Sequence, residues 1–381
     1  MSEPRPASLR IGLVIERLIR GAGTEEQVRL LVRQLTGRGF EFDLCLTGTE
    51  PPEPEVPPLA SPPLILGVRR ILSPAGWRGL RRFRSWVASR QPHLLLSFWR
   101  DADLICALGS GAVPVAAGRR NIGAGLHRPG ERWRARWVNR GIDRWVANSR
   151  AAAANTVAVE HVPPSRVTVL PNLLDTDRFR PPEPGEVASA RAVHGWPRDA
   201  VVFGCVANLR PVKRHADLIE AFRLVHGELP ATRLLLAGTG PLEANLRNQA
   251  RSLGDAVRFV GSSTDTRATY AGCDVAVLAS RTEGFPNALL EAAACGLPLI
   301  TTDSGGAAEL VCDAGAGDVV PVGDVEALAA AMIAAAQDSG RRARVAAAGR
   351  AYSVARHGLG VSVPAWERFL REAAVTPGTE R

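Results

Sequence analysis

An α/β protein of two doubly wound domains facing a central cleft is the fold class this sequence predicts, and three observations predict it. A chain of 381 residues exceeds what one hydrophobic core ordinarily fills. Short apolar runs alternate with helical patterns, and the whole alternation runs twice. Between the two series lies PPEPGEVAS (181–189), rich in proline and polar residues, which reads as an interdomain linker.

The first series is LRIGLVI (9–15), FEFDLCL (40–46), HLLLSF (93–98), VPVAA (113–117) and RWVANS (144–149). The second is VVFGCVA (201–207), RLLLAG (233–238), DVAVLAS (274–280) and LPLITTD (297–303). Strand then helix, repeated, calls for parallel sheets covered on both faces, with ligand crevices at the carboxyl ends of the strands. The second proline-rich stretch, PPEPEVPPLASPP (51–63), falls inside the first series and is expected to be a surface loop. PAWERFLREAA (364–374) is a closing helical pattern before a polar, frayed tail, TPGTER. The expected domains are 1–180 and 181–358, with 359–381 returning to pack on the first.

Composition places the chain among ordinary globular proteins, with 46% apolar and 22% charged residues. No apolar run reaches the roughly eighteen residues of a membrane span, and the start, MSEPRPASLR, has no signal-peptide apolar segment. The six cysteines are scattered, without a CxxC pair, which suits free thiols in a reducing compartment. A cytoplasmic location is expected, at most peripheral to the inner face of a membrane. Charge is uneven: residues 1–180 carry 27 Arg against 16 acids, whereas 181–381 carry 20 basic residues against 22 acids. The positive half attracts phosphate-rich partners such as lipid headgroups or a pyrophosphate-bearing acceptor.

The most informative stretch is SRTEGFPNALLEAAACGLPLITTDSGG (280–306), which reads as strand, loop, a helix from about Asn287 to Cys295, a stop at Gly296 and another strand. A helix opening at Pro286 and Asn287 turns backbone N–H groups toward the ligand edge, an arrangement that binds anions. Glu283 precedes that helix and Glu291 lies one turn inside it, so the two carboxylates can flank one extended ligand such as a sugar nucleotide. Equally, acids near a helix start serve as first-turn residues and solvated side chains. Lys213 adds weight to the first reading, because it is the only lysine beside 46 arginines. A solitary lysine in so arginine-rich a chain marks a place for a compact, flexible ammonium, just after the first strand of the second series.

EGFPNALLEAAACGLPLITTDSGG, with VANLRPVKRHADLIEAF, LLLAGTGPL and VRFVGSS, resembles the donor domain of retaining glycosyltransferase family 4 (glycosyltransferase group 1). Members have the GT-B fold of two Rossmann-like domains. GAGTEEQVRLLVRQLTGRG, WVANSRAAAA and VTVLPNLLDTDRFRP match the family pattern in the first half, so the resemblance covers nearly the whole chain. It implies that Glu283 contacts the donor sugar and Glu291 the ribose. It also implies that Gly284, Phe285, Pro286 and Asn287 bring backbone to the sugar and diphosphate, while Lys213, aided by Arg210, neutralises the departing diphosphate in place of a metal. Gly238 of the GTGP turn and Val260 of VRFVG join the donor set, the latter lining the base pocket. Where the family often has arginine five residues before the lysine, this chain has Asn208. The glycine pair near the N-terminus appears as Gly21-Ala22-Gly23, and the family's histidine-bearing strand end is replaced by SFWRDAD (97–103) and GRRNIG (118–123). Gly23, Trp99, Arg120 and Asn121 are therefore the expected acceptor-side residues.

Other signals carry less. Asp101-Ala102-Asp103 has the metal-binding Asp-x-Asp form but opens a helical pattern in the first half, where capping is the expected role and no metal is expected. Gly21-Ala22-Gly23 lacks the third glycine of a dinucleotide fingerprint, since position 26 is Glu. Arginine and tryptophan interleave in 69–90 and 127–146, with Trp133, Trp137 and Trp145 at multiples of four. That pattern suits a helix lying on an anionic membrane surface, or one packing its tryptophans on the sheet. No nucleic-acid reader motif accompanies the charge, and none is expected as a partner. The sequence thus predicts hexosyl transfer from a UDP- or GDP-sugar, with no other cofactor, to a glycan or lipid-linked acceptor in envelope or polysaccharide synthesis. A sugar-nucleotide hydrolase or epimerase, or a basic binding protein without activity, are the alternatives.

Overall fold

Parallel pairing governs both sheets of the computed structural model, which describes residues 8–375 except 20, 52–56, 69–72, 123–128, 198 and 263–264, and the side chains of 129–132. The polar tail 376–381, part of the 51–63 loop, the last residue of GRRNIG and the edges of the two Arg-Trp stretches lie outside the described residues. The chain divides into two compact units, residues 1–173 with 360–381, and 174–359.

Unit 1 holds seven strands: β1 (Leu9–Ile15), β2 (Phe40–Leu46), β3 (Leu64–Ile65), β4 (Leu94–Phe98), β5 (Val115–Arg119), β6 (Arg144–Ala147) and β7 (Val167–Val169). Their order is β3-β2-β1-β4-β5-β6-β7, so the winding direction reverses between β1 and β4. Unit 2 holds β8 (Val201–Val206), β9 (Thr232–Ala237), β10 (Val257–Gly261), β11 (Val275–Leu278), β12 (Leu299–Thr302) and β13 (Gly317–Val320). Their order is β10-β9-β8-β11-β12-β13, which reverses between β8 and β11. The crevice outside such a reversal is where open α/β sheets take ligands, because the loops leaving the two central strands diverge there. Each unit buries its own apolar core: Phe83, Trp86, Leu95, Ile105 and Trp145 in the first, and Phe203, Phe222, Leu236, Val277 and Leu289 in the second. All six cysteines are free thiols, five of them buried.

All nine apolar runs form strands. The added strands β3, β7, β10 and β13 are short or carry few large apolar residues, so they give little periodic signal. PPEPGEVAS is not a linker: Pro184–Ala192 is a helix whose start is closed by a capping box between Glu183 and Glu186. The division between units falls earlier, after Leu173. Leu174 donates its N–H to the His357 carbonyl at 3.0 Å, and Arg350 donates to the carbonyls of Phe179 (2.5 Å) and Thr176 (3.2 Å), so 174–180 is bonded into unit 2. Trp145 does not continue the helix of Trp133 and Trp137. That helix, Pro129–Asn139, ends first, and Trp145 lies buried in β6, 1% exposed. The closing helix, Leu359–Val375, tolerates Pro364 inside it, and within unit 1 its Trp366 Nε1 donates to the Pro171 carbonyl at 3.1 Å.

Candidate active site

The loops on either side of the reversal in unit 2 carry the residues that the sequence singled out. After β8 the chain passes Asn208 and Arg210, both exposed, makes a short 3-10 turn at Pro211–Lys213, and enters the helix His215–Glu228. Beyond β11 it runs through 280–286 into the helix Asn287–Ala294. The Arg281 N–H donates to the Val212 carbonyl at 2.8 Å, which ties the two loops together.

Lys213 Nζ lies 2.6 Å from Glu283 Oε1, with side chains 23% and 11% exposed, and Ser280 Oγ donates to the same carboxylate oxygen at 2.5 Å. Burial on that scale makes the ion pair stronger than a solvated one, and the serine fixes which way the carboxylate points. The Glu283 backbone is clamped as well: its N–H donates to the Ser304 carbonyl (2.7 Å) and its carbonyl accepts from the Gly306 N–H (2.9 Å). That bridge needs a glycine, since a Cβ on Gly306 would stand 1.6 Å from the Gly284 carbonyl oxygen. Gly284, Phe285 and Pro286 are buried, and Pro286 takes the N-cap position with no side-chain cap bond, leaving the start of the eight-residue helix to its backbone groups.

Glu291 sits one turn inside that helix, where its Oε2 accepts from Thr266 Oγ1 at 3.1 Å and lies 3.4 Å from the Tyr270 hydroxyl, which donates to the Ala288 carbonyl at 2.9 Å. The two carboxylates therefore have separate supports. Gly238 closes β9 at φ 148°, where a Cβ would meet the Ala207 carbonyl oxygen at 2.0 Å, so the β8 and β9 ends approach backbone to backbone. Val260 lies at the register shift of edge strand β10 and is 38% exposed. His215 is buried at the first position of its helix, and neither ring nitrogen has a hydrogen-bond partner among the described residues.

In unit 1 two of the expected acceptor-side residues, Gly23 and Trp99, follow the strands at the equivalent reversal, β1 and β4, and the other two, Arg120 and Asn121, follow the next strand, β5. Gly23 is the exposed first residue of the helix Gly23–Leu35, and the Gly21 N–H donates to Glu26 Oε1 at 3.2 Å. Trp99 follows β4 at φ 80° and ψ 152°, backbone that only glycine adopts at ease and that costs other residues on the order of 1–3 kcal/mol. Asp101 and Asp103 do not cap the helix Arg100–Gly109, because Trp99 holds the cap position. Asp103 is buried instead, accepting from Ser97 Oγ (2.6 Å) and pairing with Arg119 (2.8 Å), which also forks onto Glu160 at 2.8 and 2.9 Å. Burial opposes the Arg119 charge, but the two carboxylates outweigh it and hold the guanidinium above its ordinary pKa. Arg120 Nη1 donates to Asn172 Oδ1 at 2.7 Å, and its guanidinium lies 5.7 Å from the centre of the Phe98 ring. Asn121 is exposed. Among the described residues no three His, Cys, Asp or Glu side chains gather as metal ligands.

Ser280, Ser304, Thr266 and Tyr270 escaped the sequence reading as site residues. Ser280 and Ser304 lie within the segment that was singled out, whereas Thr266 and Tyr270 reach Glu291 across 25 and 21 positions, and no local pattern marks them.

The family model for glycosyl transferases group 1 matches residues 187–352, and that for glycosyltransferase family 4 matches residues 21–178. The chain is 32% identical over 299 residues, 70% of its length and 75% of the relative's, to the GDP-mannose-dependent alpha-(1-6)-phosphatidylinositol monomannoside mannosyltransferase of Mycolicibacterium smegmatis. It is 36% identical over 192 residues to the GDP-mannose-dependent monoacylated alpha-(1-6)-phosphatidylinositol monomannoside mannosyltransferase of Corynebacterium glutamicum, a match that spans 48% of this chain and only 50% of that protein. In fold it is similar to Anabaena HepE in complex with UDP and glucose (TM-score 0.79, 18% identity, 96% and 100% of the two chains covered). It is also similar to a glycosyltransferase from Rickettsia africae (TM-score 0.81, 14% identity, 97% and 99% covered).

Proposed function

The chain belongs to the glycosyltransferases of group 1 and family 4, with the GT-B fold, and on that premise we propose that it moves a hexosyl group, with retention and without a metal, from a nucleotide sugar to a glycan or lipid-linked acceptor. The observation that carries this reading is the 2.6 Å pair of Lys213 and Glu283, set between the two loops that leave the reversal of the second sheet. GDP-mannose is the first donor to try, because the mannosyltransferases of Mycolicibacterium smegmatis and Corynebacterium glutamicum described above are named for it; UDP-sugars come next.

In the proposed reaction the bond from the anomeric carbon to the diphosphate oxygen breaks and a bond from the acceptor hydroxyl oxygen to that carbon forms. The acceptor attacks on the face the diphosphate leaves, and its proton passes to the leaving phosphate. Lys213, Arg210 and the backbone at the start of Asn287–Ala294 stabilise the charge that accumulates on the diphosphate, which is where preorganised positive groups lower the barrier most. Arg210 suits the task because its guanidinium has no partner among the described residues. Glu283 takes the sugar, Glu291 takes the ribose through a carboxylate already oriented by Thr266, and Val260 borders the base. Asn208 and Gly238 shape the wall between the β8 and β9 ends.

The acceptor and membrane side belongs to unit 1. Trp133 and Trp137, 72% and 43% exposed and one turn apart among arginines, fit the headgroup layer of an anionic membrane at the cytoplasmic face. No helix among the described residues is long and apolar enough to cross a membrane.

The test is direct. GDP-mannose and UDP-glucose are screened by thermal shift, and turnover of the donor that binds is followed in Lys213→Ala, Glu283→Gln and Glu291→Gln. Lys213→Ala and Glu283→Gln are expected to lower kcat about a hundredfold. Glu291→Gln is expected to raise the donor KM about tenfold with little effect on kcat. Undiminished turnover in all three variants would remove the assignment.

A further inference from the structure

The loop 283–287 carries one aromatic side chain, Phe285, between Gly284 and Pro286. Gly284 offers no side chain and Pro286 a small one, so packing of the Phe285 ring is what can fix the backbone between Glu283 and Asn287. Phe285 is 7% exposed, and its ring lies on the imidazole of His357, 4% exposed, with centres 4.9 Å apart and planes 24° from parallel.

The imidazole is itself anchored. His357 ends the helix Ser339–His357, its carbonyl accepts from the Leu174 N–H at 3.0 Å, and the ring of Tyr352, earlier in the same helix, is centred 5.8 Å away. That helix also reaches the far end of the donor helix. Arg350 Nη1 donates to the carbonyl of Ala294, the last residue of Asn287–Ala294, at 2.7 Å, and a cation is favourable at a helix C-terminus. Gly349 passes so close that an added Cβ would stand 3.5 Å from the Ala293 Cβ and 3.0 Å from that of Ala316. One helix thus braces both ends of the element whose first turn faces the diphosphate in the reading above.

We propose that His357 is a positioning residue for the transfer reaction, its ring holding Phe285 and through it Glu283 and the start of the helix Asn287–Ala294. This rests on the glycosyl-transfer reading and adds to it a residue more than seventy positions from the loop it serves. Phe285 lies two residues after Glu283 and two before Asn287, so a shift of its ring displaces both the carboxylate that takes the sugar and the backbone that meets the leaving phosphate. Glu291 keeps its own supports, Thr266 and Tyr270, whatever happens at the stack. Loss of the stack therefore separates turnover from donor binding.

The experiment follows release of GDP from GDP-mannose, or of UDP from UDP-glucose, by the full-length wild type, His357→Ala, His357→Phe, Phe285→Leu and the double variant Phe285→Leu/His357→Ala. His357→Ala is expected to lower kcat about tenfold or more while the donor KM stays within about twofold. His357→Phe, which keeps a flat ring against Phe285, is expected to restore kcat to within about threefold of the wild type. The double variant is expected to be no slower than Phe285→Leu, because the two residues act through one contact. An unchanged thermal shift with GDP or UDP reports that His357→Ala is folded. If that shift is lost, His357→Leu, of similar volume but without the flat face, takes its place with the same expectations. Wild-type kcat in His357→Ala, a raised KM with kcat intact, an equal loss in His357→Phe, or additive losses in the double variant each overturn the proposal. Failure of the wild type to turn over either donor removes the glycosyl-transfer reading, and this proposal with it, whereas the other outcomes leave that reading standing.

Discussion

His215 shows how a single side chain can record its neighbourhood. Its ring is 1% exposed and neither nitrogen is hydrogen-bonded among the described residues. Burial, and then the nearby charge of Lys213, lower its pKa from 6.5 to about 4. The native ring is therefore neutral at a pH where the unfolded ring takes up a proton. Between pH 6.5 and about 4 the unfolded chain binds more protons, so stability is complete above that window and is lost as pH falls through it. The loss attributable to this ring is about 3 kcal/mol at the low end. Urea unfolding of the wild type and of His215→Gln at pH 7.5 and 4.5 checks it: the wild type should lose markedly more stability on acidification than the variant. His194 is shifted the same way by burial but is present in both proteins, so their difference isolates His215. Equal losses would show that His215 is not held neutral. At this scale the sequence was legible where composition was lopsided, as with the solitary Lys213. It placed Arg120 on the acceptor side only through the family resemblance, and no local pattern marks the two acids that Arg119 has and that Arg120 lacks among the described residues.

At the scale of elements, the loop 280–286 and the helix behind it were readable because the signals are local: Gly284 and Pro286 stop the strand, and two acids eight positions apart bracket the turn. What holds that loop was not readable, since the clamp is backbone from Ser304–Gly306 at the end of β12, where no side chain announces it. Trp145 was misplaced for the opposite reason, a helical spacing that persists by chance across a turn into β6. The clamp makes a prediction of its own. Gly306→Ala puts a methyl where the Gly284 carbonyl oxygen stands 1.6 Å away, so the carbonyl must move and carry Glu283 with it. Turnover is expected to fall about tenfold or more, with about 1–3 kcal/mol of stability lost. Gly227→Ala is the comparison, a helical glycine with nothing within 4 Å of its added Cβ, and should cost neither. If Gly306→Ala keeps full turnover, the bridge does not position Glu283.

For the whole molecule, the two sheets, their parallel pairing and their doubling followed from alternation of apolar runs with helices, because buried parallel strands must be apolar throughout. The last segment, expected to return to the first domain, is assigned there by its contacts, since a helix pattern says what is buried but not against which surface. Residues 360–381 belong to unit 1, whereas unit 2 is one continuous stretch, 174–359. Within unit 1 the closing helix buries Trp366, Phe369 and Leu370, at 1%, 5% and 0% exposure, and sets Arg371 4.7 Å from the Phe40 ring centre. Ending the chain at Leu359 leaves those partners uncovered, a loss on the order of 5 kcal/mol from three large apolar side chains. Unit 2 keeps all of its strands and its core through that truncation. Calorimetry should therefore show the unit 1 transition falling or vanishing, while the unit 2 transition persists and still rises on adding the nucleotide that the intact chain binds. Loss of the nucleotide-dependent shift together with the unit 1 transition would mean that the donor site depends on more than unit 2, and the two-unit division of stability would have to be given up.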